Sequence, residues 1–306
     1  MDGLTTGARA GTEPGASPAS ALVIFNPTAG RRRARRIAAA LRGLRAAGIG
    51  FLLRRTEGRG DAEHLAREAG PEATVVVAGG DGTANEAANG LLAAGGGRLA
   101  LIPLGTANVL AAELGIESAA GGIAALKAGS AFSYRPGLAN GRGFLMMAGA
   151  GFDAHVVAGI APGTKRLLGK GAYVLEMLRQ LRRFPFPSYR VTVDGTVRQA
   201  ASVVVARGHF YAGRFVLAPA ARLDQAALHV CLFHRAGRLA VLRYAIALGL
   251  GRISHGPGLE ILVGRQILIE GPVGDPVQGD GDIIAKLPVL ITLSPTAIDL
   301  VRAAVG

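Results

Sequence analysis

The sequence predicts an α/β domain followed by a β-rich domain, and three observations support this fold class. The chain has 306 residues, half of them apolar, which suffices for about two domains with cores of their own. From Ala21 onward, short apolar runs alternate with patterns of helical spacing, as in proteins built on a parallel sheet. After about residue 130, strand-like runs are joined by turn dipeptides such as Asn140-Gly141, as in antiparallel sheets.

The first half contains four predicted strands and three predicted helices. Short apolar runs predict strands over residues 21–25, 50–53, 74–78 and 99–102. Apolar residues at helical spacing predict helices over residues 35–47, 61–69 and 83–94. In a parallel sheet of this kind, the loops that bind ligands follow the carboxyl ends of the strands.

The second half is predicted to be mostly antiparallel. Strand-like runs cover residues 144–147, 189–193 and 201–206, and Asp194-Gly195 is the predicted turn between the last two. A predicted helix over residues 165–183 interrupts the strands. We expect this β-rich half to face the first half across a cleft, which is a frequent place for a substrate site.

These patterns divide the chain into four parts. The first 20 residues lack an apolar core segment and a signal-peptide pattern, so we expect a disordered tail there. The last segment is a candidate to return to the first domain. The predicted parts are a tail at 1–20, an α/β domain at 21–132, a β-rich domain at 133–288 and a C-terminal segment at 289–306.

The composition favours an anionic partner. The chain has 34 basic and 21 acidic residues, a net charge of +13, which suits a nucleotide, a phospholipid surface or a nucleic acid. Aromatic residues make up only 5% and tryptophan is absent, so platforms for stacking bases are scarce and nucleic acid is not an expected partner. The single Cys231 cannot form an intrachain disulfide, which fits a reducing compartment.

Contact with a membrane is expected to be peripheral. The longest apolar stretch, residues 239–251, is too short to cross a bilayer and contains Arg243. The predicted helix over residues 165–183 mixes basic with large apolar residues. Two interpretations of that helix stay open: it lies on an anionic membrane, or it is an ordinary helix docked on a sheet.

A glycine-rich turn follows the third predicted strand. Gly79, Gly80 and Gly82 lack the Cβ atoms that would keep phosphate away from the backbone, and Thr83 is predicted to open a helix whose free N–H groups attract anions. Asp81 is the exception, because a carboxylate beside phosphate is repelled unless it holds a metal, contacts a hydroxyl or takes a proton. The turn therefore indicates chemistry as well as binding, and the alternative is a plain strand-to-helix turn.

Three further polar loops follow the other predicted strands. They are Asn26 to Gly30 after the first strand, Thr56 after the second and Pro103 to Asn108 after the fourth. Because these loops are expected to converge with the glycine turn at one edge of the sheet, the arrangement suits a nucleotide.

A late acidic segment is the second candidate site. Asp280 and Asp282 lie two residues apart between glycines, so their side chains would point the same way in extended backbone. If the cleft brings this turn opposite Asp81, one carboxylate could deprotonate a hydroxyl group while the other influences the charge near a phosphate. The alternative is a hairpin turn that uses Asp-Gly chemistry. Clustered histidine or cysteine ligands and a Gly-x-Ser-x-Gly elbow are absent from the sequence.

Over about residues 21 to 300, the chain resembles the diacylglycerol kinase catalytic-domain family, which includes bacterial soluble lipid kinases and sphingosine kinases. The resemblance rests on five motifs in order: Asn26-Pro-Thr-Ala-Gly30, Gly79-Gly-Asp-Gly-Thr-Ala-Asn-Glu86 running to Asn89-Gly90-Leu91, Pro103-Leu-Gly-Thr-Ala-Asn108, Gly149-Ala-Gly-Phe-Asp-Ala154 and Gly279-Asp-Gly-Asp282. It implies an ATP-dependent lipid kinase with an N-terminal α/β nucleotide-binding domain, like those of NAD kinases and phosphofructokinases, and a β-sandwich lipid domain.

The resemblance also implies roles for individual residues. Asp282 stands where the family usually has a glutamate as catalytic base, one methylene longer, and Asp81 is the second candidate catalytic residue. Mg²⁺ is expected to travel with ATP, and Asp224 is a candidate ligand of a structural magnesium site for which the family uses an Asp-Asp-Gly-like turn. The residues implied to contact ATP are Asn26, Thr56, Gly79, Gly80, Asp81, Gly82, Thr83, Ala84, Asn85 and Thr106.

The expected partners are ATP, a lipid alcohol and an anionic membrane surface, at a cytoplasmic, membrane-peripheral location, with a homodimer left open. Two other functions stay open. NAD kinase shares the Gly-Gly-Asp-Gly-Thr turn, although Pro103 to Asn108 looks like the lipid-kinase version. The second open function is a binding protein that senses nucleotide or lipid without turnover, because the acidic positions depart from the family pattern.

Overall fold

The computed structural model describes residues 21–27, 31–160 and 170–304. The predicted tail at 1–20, the loop residues 28–30 and the first residues of the predicted helix at 165–169 lie outside them. Within the described residues, each helix is too short or too polar to cross a bilayer.

The first part of the chain forms a six-stranded sheet in the order β2-β1-β3-β4-β20-β5, with only β5 antiparallel to its neighbour. Val75, Val76 and Val77 in its centre are fully buried, as expected of a parallel strand covered on both faces. Its elements are β1 (Ala21–Phe25), α1 (Arg31–Ala46), β2 (Phe51–Arg55), α2 (Asp61–Ala69), β3 (Thr74–Gly79), α3 (Asp81–Ala94), β4 (Arg98–Pro103), α4 (Val109–Glu113), α5 (Ala119–Ala128), β5 (Ala131–Tyr134) and, from the end of the chain, β20 (Ile298–Val301).

The rest of the chain forms two antiparallel six-stranded sheets, in the orders β10-β9-β16-β19-β6-β7 and β15-β14-β11-β8-β17-β18. Apolar side chains from both sheets share one core. The elements are β6 (Gly137–Ala139), β7 (Arg142–Phe144), β8 (Met147–Ala150), α6 (Phe152–Gly159), α7 (Lys170–Arg183), β9 (Tyr189–Val193), β10 (Thr196–Ala200), β11 (Ser202–Ala206), β12 (Phe210–Tyr211), β13 (Phe215–Val216), β14 (Leu228–Phe233), α8 (Arg238–Gly249), a 3₁₀ turn (Ile253–His255), β15 (Leu259–Gly264), β16 (Gln266–Glu270), β17 (Pro276–Gly279), β18 (Asp282–Lys286) and β19 (Val289–Leu293).

The predicted fold class, an α/β domain followed by a β-sandwich-like domain, is confirmed. All four strands and three helices predicted in the first half are present, with ends that differ by a few residues. The largest difference that bears on the site is at α3, which begins at Asp81 and not at Thr83 because Gly80 is the extended residue that precedes the helix. Asp81 and Gly82 therefore belong to the first turn of α3.

Two predictions for the second half need correction. Asp194-Gly195 joins β9 to β10, whereas residues 202–206 form β11 in the other antiparallel sheet. The sequence pattern missed β10 because Thr-Val-Arg-Gln-Ala is largely exposed and lacks an apolar face. At the end of the chain, β19 stays in the antiparallel sheet and only β20 joins the first sheet, between β4 and β5.

Close packing between α2 and α3 fixes the position of α3. A methyl group on Gly90 would lie 2.2 Å from the carbonyl oxygen of Glu63 and 2.8 Å from Cβ of Ala66. The two helices can approach this closely only because residue 90 lacks a side chain.

Gly90→Ala should therefore lower the free energy of unfolding by about 2 kcal/mol, because α3 must move away from α2 to admit the methyl group. Gly58→Ala is the matched control, since no described atom lies within 4 Å of a methyl group there. Urea denaturation of both variants checks the expectation, and equal stability of the two would contradict it.

Candidate active site

The glycine turn lies at the start of α3, at the carboxyl end of β3. Gly80 precedes the helix in extended conformation, and no side chain among the described residues caps the helix there. The N–H groups of the first helical turn are therefore available to an anion.

The three glycines of the turn serve different purposes. A methyl group on Gly79 would lie 3.2 Å from the side chain of Thr83, and one on Gly80 would lie 3.3 Å from Cα of Gly105. These two glycines thus make room for protein atoms. A methyl group on Gly82 would point across the cleft, 3.8 Å from Oδ2 of Asp282. Of the three positions predicted to clear space for phosphate, Gly82 alone faces the opposite wall of the cleft.

Asp81 lies in the first turn of α3 and faces the start of α4. Its Oδ1 accepts a hydrogen bond of 3.2 Å from the backbone N–H of Leu110. Burial raises the pKa of Asp81, and the nearby Asp280 carboxylate adds to the rise, while backbone N–H groups at the start of α4 oppose it. The carboxylate therefore connects the first turn of α3 to the start of α4.

Asp280 has its carboxylate in the protein interior, where it accepts four hydrogen bonds. Oδ2 accepts from Asn85 Nδ2 at 2.8 Å and from the Leu145 N–H at 2.6 Å. Oδ1 accepts from the N–H groups of Met146 and Met147 at 2.9 and 3.1 Å. Burial raises the pKa of Asp280, and these donors oppose the rise. The carboxylate thus joins α3 to the segment between β7 and β8.

Two asparagines of α3 complete this junction. Nδ2 of Asn85 and Nδ2 of Asn89 each donate to the carbonyl oxygen of Gly143 at 3.1 Å. Oδ1 of Asn89 accepts from the Gly143 N–H at 2.9 Å. α3 is thereby fixed to β7, and the glycine turn is fixed relative to the β-rich part.

Asp282 lies two residues from Asp280 but points in another direction. Asp280 and Gly281 both have positive φ angles, 52° and 87°, and form a two-residue hairpin turn in which Gly279 pairs with Asp282. The extended backbone that would point the two carboxylates the same way is therefore absent, and the alternative, a hairpin turn, is what the structure contains. Asp282 is half-exposed in the cleft, where its Oδ1 lies 3.7 Å from Nη2 of Arg59.

A cavity of about 730 Å³ extends from the glycine turn into the β-rich part. Gly80, Asp81 and Gly82 line one end together with Asp282. The remaining wall is mainly apolar, with side chains from α6, α7, α8 and the β12–β13 hairpin, among them Phe152, Val156, Met177, Phe186, Tyr211, Val241, Tyr244 and Leu248. One space therefore connects an anion-attracting helix end to an apolar chamber.

Asp153 is a buried carboxylate in the wall of this cavity. Its Oδ2 accepts a hydrogen bond of 3.1 Å from Nε2 of Gln278. Its Oδ1 is buried and has no hydrogen-bond partner among the described residues. Burial raises the pKa of Asp153 to about 6, against the hydrogen bond from Gln278.

Comparison with known families decides the relationship. Residues 20–131 match the diacylglycerol kinase catalytic domain, and residues 146–302 match the YegS C-terminal NAD kinase beta sandwich-like domain. The chain belongs to the diacylglycerol kinase catalytic-domain family. The predicted resemblance is thus confirmed.

Individual members of this lipid kinase family are similar over most of their length. A protein of Pseudomonas aeruginosa (strain UCBPP-PA14) named "Probable lipid kinase YegS-like" is 31% identical, over 90% of this chain and 92% of its own. The diacylglycerol kinase of Bacillus subtilis (strain 168) is 30% identical, over 74% of this chain and 77% of its own. The crystal structure of a diacylglycerol kinase from Bacillus anthracis str. Sterne is 26% identical with a TM-score of 0.73, covering 92% of this chain and 96% of its own.

The other predicted site residues of this family member lie in different surroundings. Asn26 and Thr56 follow β1 and β2, and the backbone N–H of Thr56 donates to Phe25. Thr106 is exposed and lines the cavity. Thr83 and Ala84 are buried in α3, Thr83 against Gly79. Asn85 is also buried, and its amide nitrogen donates to the Gly143 carbonyl oxygen and to Oδ2 of Asp280.

Asp224 is an exposed residue in a turn before β14. The described part of the chain contains no group of three or more histidine, cysteine, aspartate or glutamate side chains placed to hold a metal ion. Asp224 is therefore not part of such a cluster, and a structural magnesium ion bound there would depend on backbone carbonyl oxygens and water for its other ligands.

Sequence reasoning missed the parts played by Asn89, Asp153 and Gln278. Asn89 and Asp153 stand within motifs that carried the family resemblance, but their spacing gives no direction for their side chains. Gln278 precedes the late Asp-Gly turn. A single polar residue among apolar and small residues is the sequence signal that could have singled out all three.

Asp280→Asn should lower the free energy of unfolding by about 2 kcal/mol, because the new NH₂ group faces backbone N–H donors and at least one donor is left without an acceptor. Asp224→Asn, on an exposed turn, is the matched control and should unfold like the parent protein. Urea denaturation measures the stability of both variants. An Asp280 variant as stable as its control would contradict the claim that this carboxylate joins α3 to the β-rich part.

Asp153→Asn should change how stability depends on pH. The pKa of Asp153 is raised from 3.8 to about 6, so the folded protein keeps the proton over a range in which the unfolded chain loses it. The parent protein therefore loses stability as the pH rises through this range, by an amount on the order of 3 kcal/mol. The variant should lack this loss, so its stability relative to the parent rises from about pH 4 to about pH 6 and then stays level. If urea denaturation gave the same pH dependence of the free energy of unfolding for the parent and the variant, the raised pKa of Asp153 would be contradicted.

Proposed function

We propose that this protein is an ATP-dependent lipid kinase, which transfers the γ-phosphoryl group of ATP to a hydroxyl group of a lipid alcohol. The observation that carries the proposal is one continuous cavity, which has an uncapped helix N-terminus and Asp282 at one end and an apolar chamber at the other. The family and the names of the relatives favour a lipid as the acceptor.

The nucleotide would bind with its triphosphate against the first turn of α3. The backbone N–H groups of Asp81, Gly82 and Thr83 are the proposed donors, and the positive end of the helix dipole favours the charge. Asn26, Thr56 and Thr106 follow neighbouring strands and are the proposed contacts to the rest of ATP. Ala84 and Asn85 act through the packing of α3, because both are buried.

The carboxylates at this end of the cavity suit a Mg²⁺ ion that arrives with ATP. Such an ion takes one or two carboxylates and completes its coordination with phosphate oxygens and water. Asp81 is the candidate ligand, because it lies in the first turn of α3 and lines the cavity. When bound, the ion would neutralise part of the triphosphate charge.

Asp282 is the proposed general base. It stands across the cleft from Gly82 and is accessible to a hydroxyl group that enters from the apolar chamber. Its carboxylate would take the proton of the lipid hydroxyl as the oxygen forms a bond to the γ-phosphorus and the bond from that phosphorus to the bridging oxygen of ADP breaks. Asp81 would keep the loops after β3 and β4 in place around the reacting phosphate.

The apolar chamber would hold the acyl or alkyl chain of the acceptor. Its aliphatic and aromatic wall offers few polar partners, which does not suit the second nucleotide that an NAD kinase must bind. Asp153 is among the polar residues that line the cavity, and its side chain is a proposed contact for the head group of the lipid. Because such a lipid resides in a membrane, the proposal includes peripheral contact with an anionic bilayer.

Incubation with γ-³²P-labelled ATP and a total lipid extract tests the proposal and also identifies the acceptor. The parent protein should label one lipid class. Asp282→Asn should lower kcat at least about a hundredfold with little change in the KM for ATP, because it removes the proton acceptor and leaves the proposed phosphate site intact.

Asp224→Asn is the control for that experiment, since it removes an exposed carboxylate that does not line the cavity. Full turnover by the Asp282 variant would reject the assigned base. Absence of label in every lipid, with ATP still bound, would favour a binding protein over a kinase.

A further inference from the structure

Two neighbouring helices beside the cavity expose large aliphatic side chains to solvent. Single exposed apolar residues are common on protein surfaces, whereas a contiguous set marks an interaction site. We call this surface the α7–α8 face. Its aliphatic residues, each more than half exposed, are Val174, Leu175 and Leu178 of α7 with Leu239, Leu242, Ile246 and Leu250 of α8 and its end.

α8 is apolar on two opposite sides. Val241, Tyr244 and Leu248 line the cavity on one side, while Leu242 and Ile246 face outward on the other. An amphipathic surface helix would carry polar residues on its outer side, and a helix that is apolar all round is normally covered on both. The outer side of α8 therefore needs an apolar environment.

The exposed sides of the two helices adjoin. Leu175 and Leu178 of α7 line a groove together with Leu239 and Leu242 of α8. Nη2 of Arg238 donates a hydrogen bond of 3.1 Å to the carbonyl oxygen of Arg182, which ties the end of α7 to the start of α8. The two rows of aliphatic side chains thus form one surface.

The cavity opens on this surface. Val174 is 54% exposed and also lines the cavity. Gly249, at the end of α8, is likewise exposed and lines it. An amphiphile that lies against the α7–α8 face is therefore next to the entrance of the apolar chamber.

The charge on the same helices is positive. Their described side chains include five arginines and one carboxylate, Glu176, which is buried and bonded to Gln180. Arginine side chains around an aliphatic patch match the two layers of an anionic monolayer, phosphate head groups outside and acyl chains beneath. The arginines are Arg179, Arg182, Arg183, Arg238 and Arg243.

We propose that the α7–α8 face docks on an anionic phospholipid monolayer, with its aliphatic side chains among the acyl chains and its arginines at the phosphates. The lipid acceptor then passes from the monolayer into the cavity between the two helices without crossing water. This path for the acceptor rests on the proposed kinase function, whereas docking itself does not.

Sedimentation with vesicles, in the absence of ATP, tests the docking. The parent protein should bind vesicles of equimolar phosphatidylglycerol and phosphatidylcholine more tightly than vesicles of phosphatidylcholine alone. Leu242→Gln should weaken this binding about tenfold, because a side chain that enters the acyl layer becomes polar. Leu52→Gln is the matched control: Leu52 is 50% exposed against 51% for Leu242, but lies on β2, the edge strand of the first sheet.

A charge variant gives the second part of the test. Arg243→Gln should weaken binding to the anionic vesicles about fivefold and leave binding to phosphatidylcholine vesicles unchanged. Equal vesicle binding by the Leu242 and Leu52 variants would overturn the proposal. So would self-association of the parent protein without vesicles that Leu242→Gln abolishes, because the face would then join two copies of the chain.

The kinase proposal and the docking proposal can fail separately. If the protein phosphorylates a lipid in detergent micelles but Leu242→Gln leaves vesicle binding unchanged, the kinase proposal is retained and the docking face is rejected. The expected vesicle binding, with no lipid labelled from ATP, would retain the docking face and reject the kinase.

Discussion

The carboxylate of Asp280 is the contact on which the geometry of the site depends. It accepts hydrogen bonds from α3 and from three successive N–H groups of the β-rich part. The hairpin turn that carries Asp280 also carries Asp282, so the same carboxylate fixes the distance between Asp282 and the first turn of α3. Because a buried charge is stable only with such a full set of donors, the junction has little freedom to relax.

The carboxylates around the cavity differ in burial and in their hydrogen bonds to the protein. The pKa values of Asp81, Asp153 and Asp280 are all raised, chiefly by burial, and at least one oxygen of each is bonded to a protein donor. Asp282 is half-exposed in the cleft. Three carboxylates are thus buried and bonded to the protein, and Asp282, the fourth, is the proposed general base.

Much of the fold could be predicted from the sequence, and less of the site. Alternating apolar runs and helical spacing located β1 to β4 and their helices, because those patterns can be recognised in the local sequence. The Asp-Gly turn was correctly considered as a hairpin, but the direction of each carboxylate depends on the positive φ angles of Asp280 and Gly281, which spacing does not reveal. Likewise, Gly80 clears space for Gly105, a residue 25 positions later, and only the packed loops show this.

The central claim is that the triphosphate of ATP binds the uncapped N-terminus of α3, opposite Asp282. A crystal structure with Mg²⁺ and a non-hydrolysable ATP analogue measures this most directly. The account predicts the terminal phosphate against the N–H groups of residues 81–83, with Asp282 facing it across the cleft. A triphosphate bound elsewhere, with the first turn of α3 in contact only with protein or water, would contradict the account.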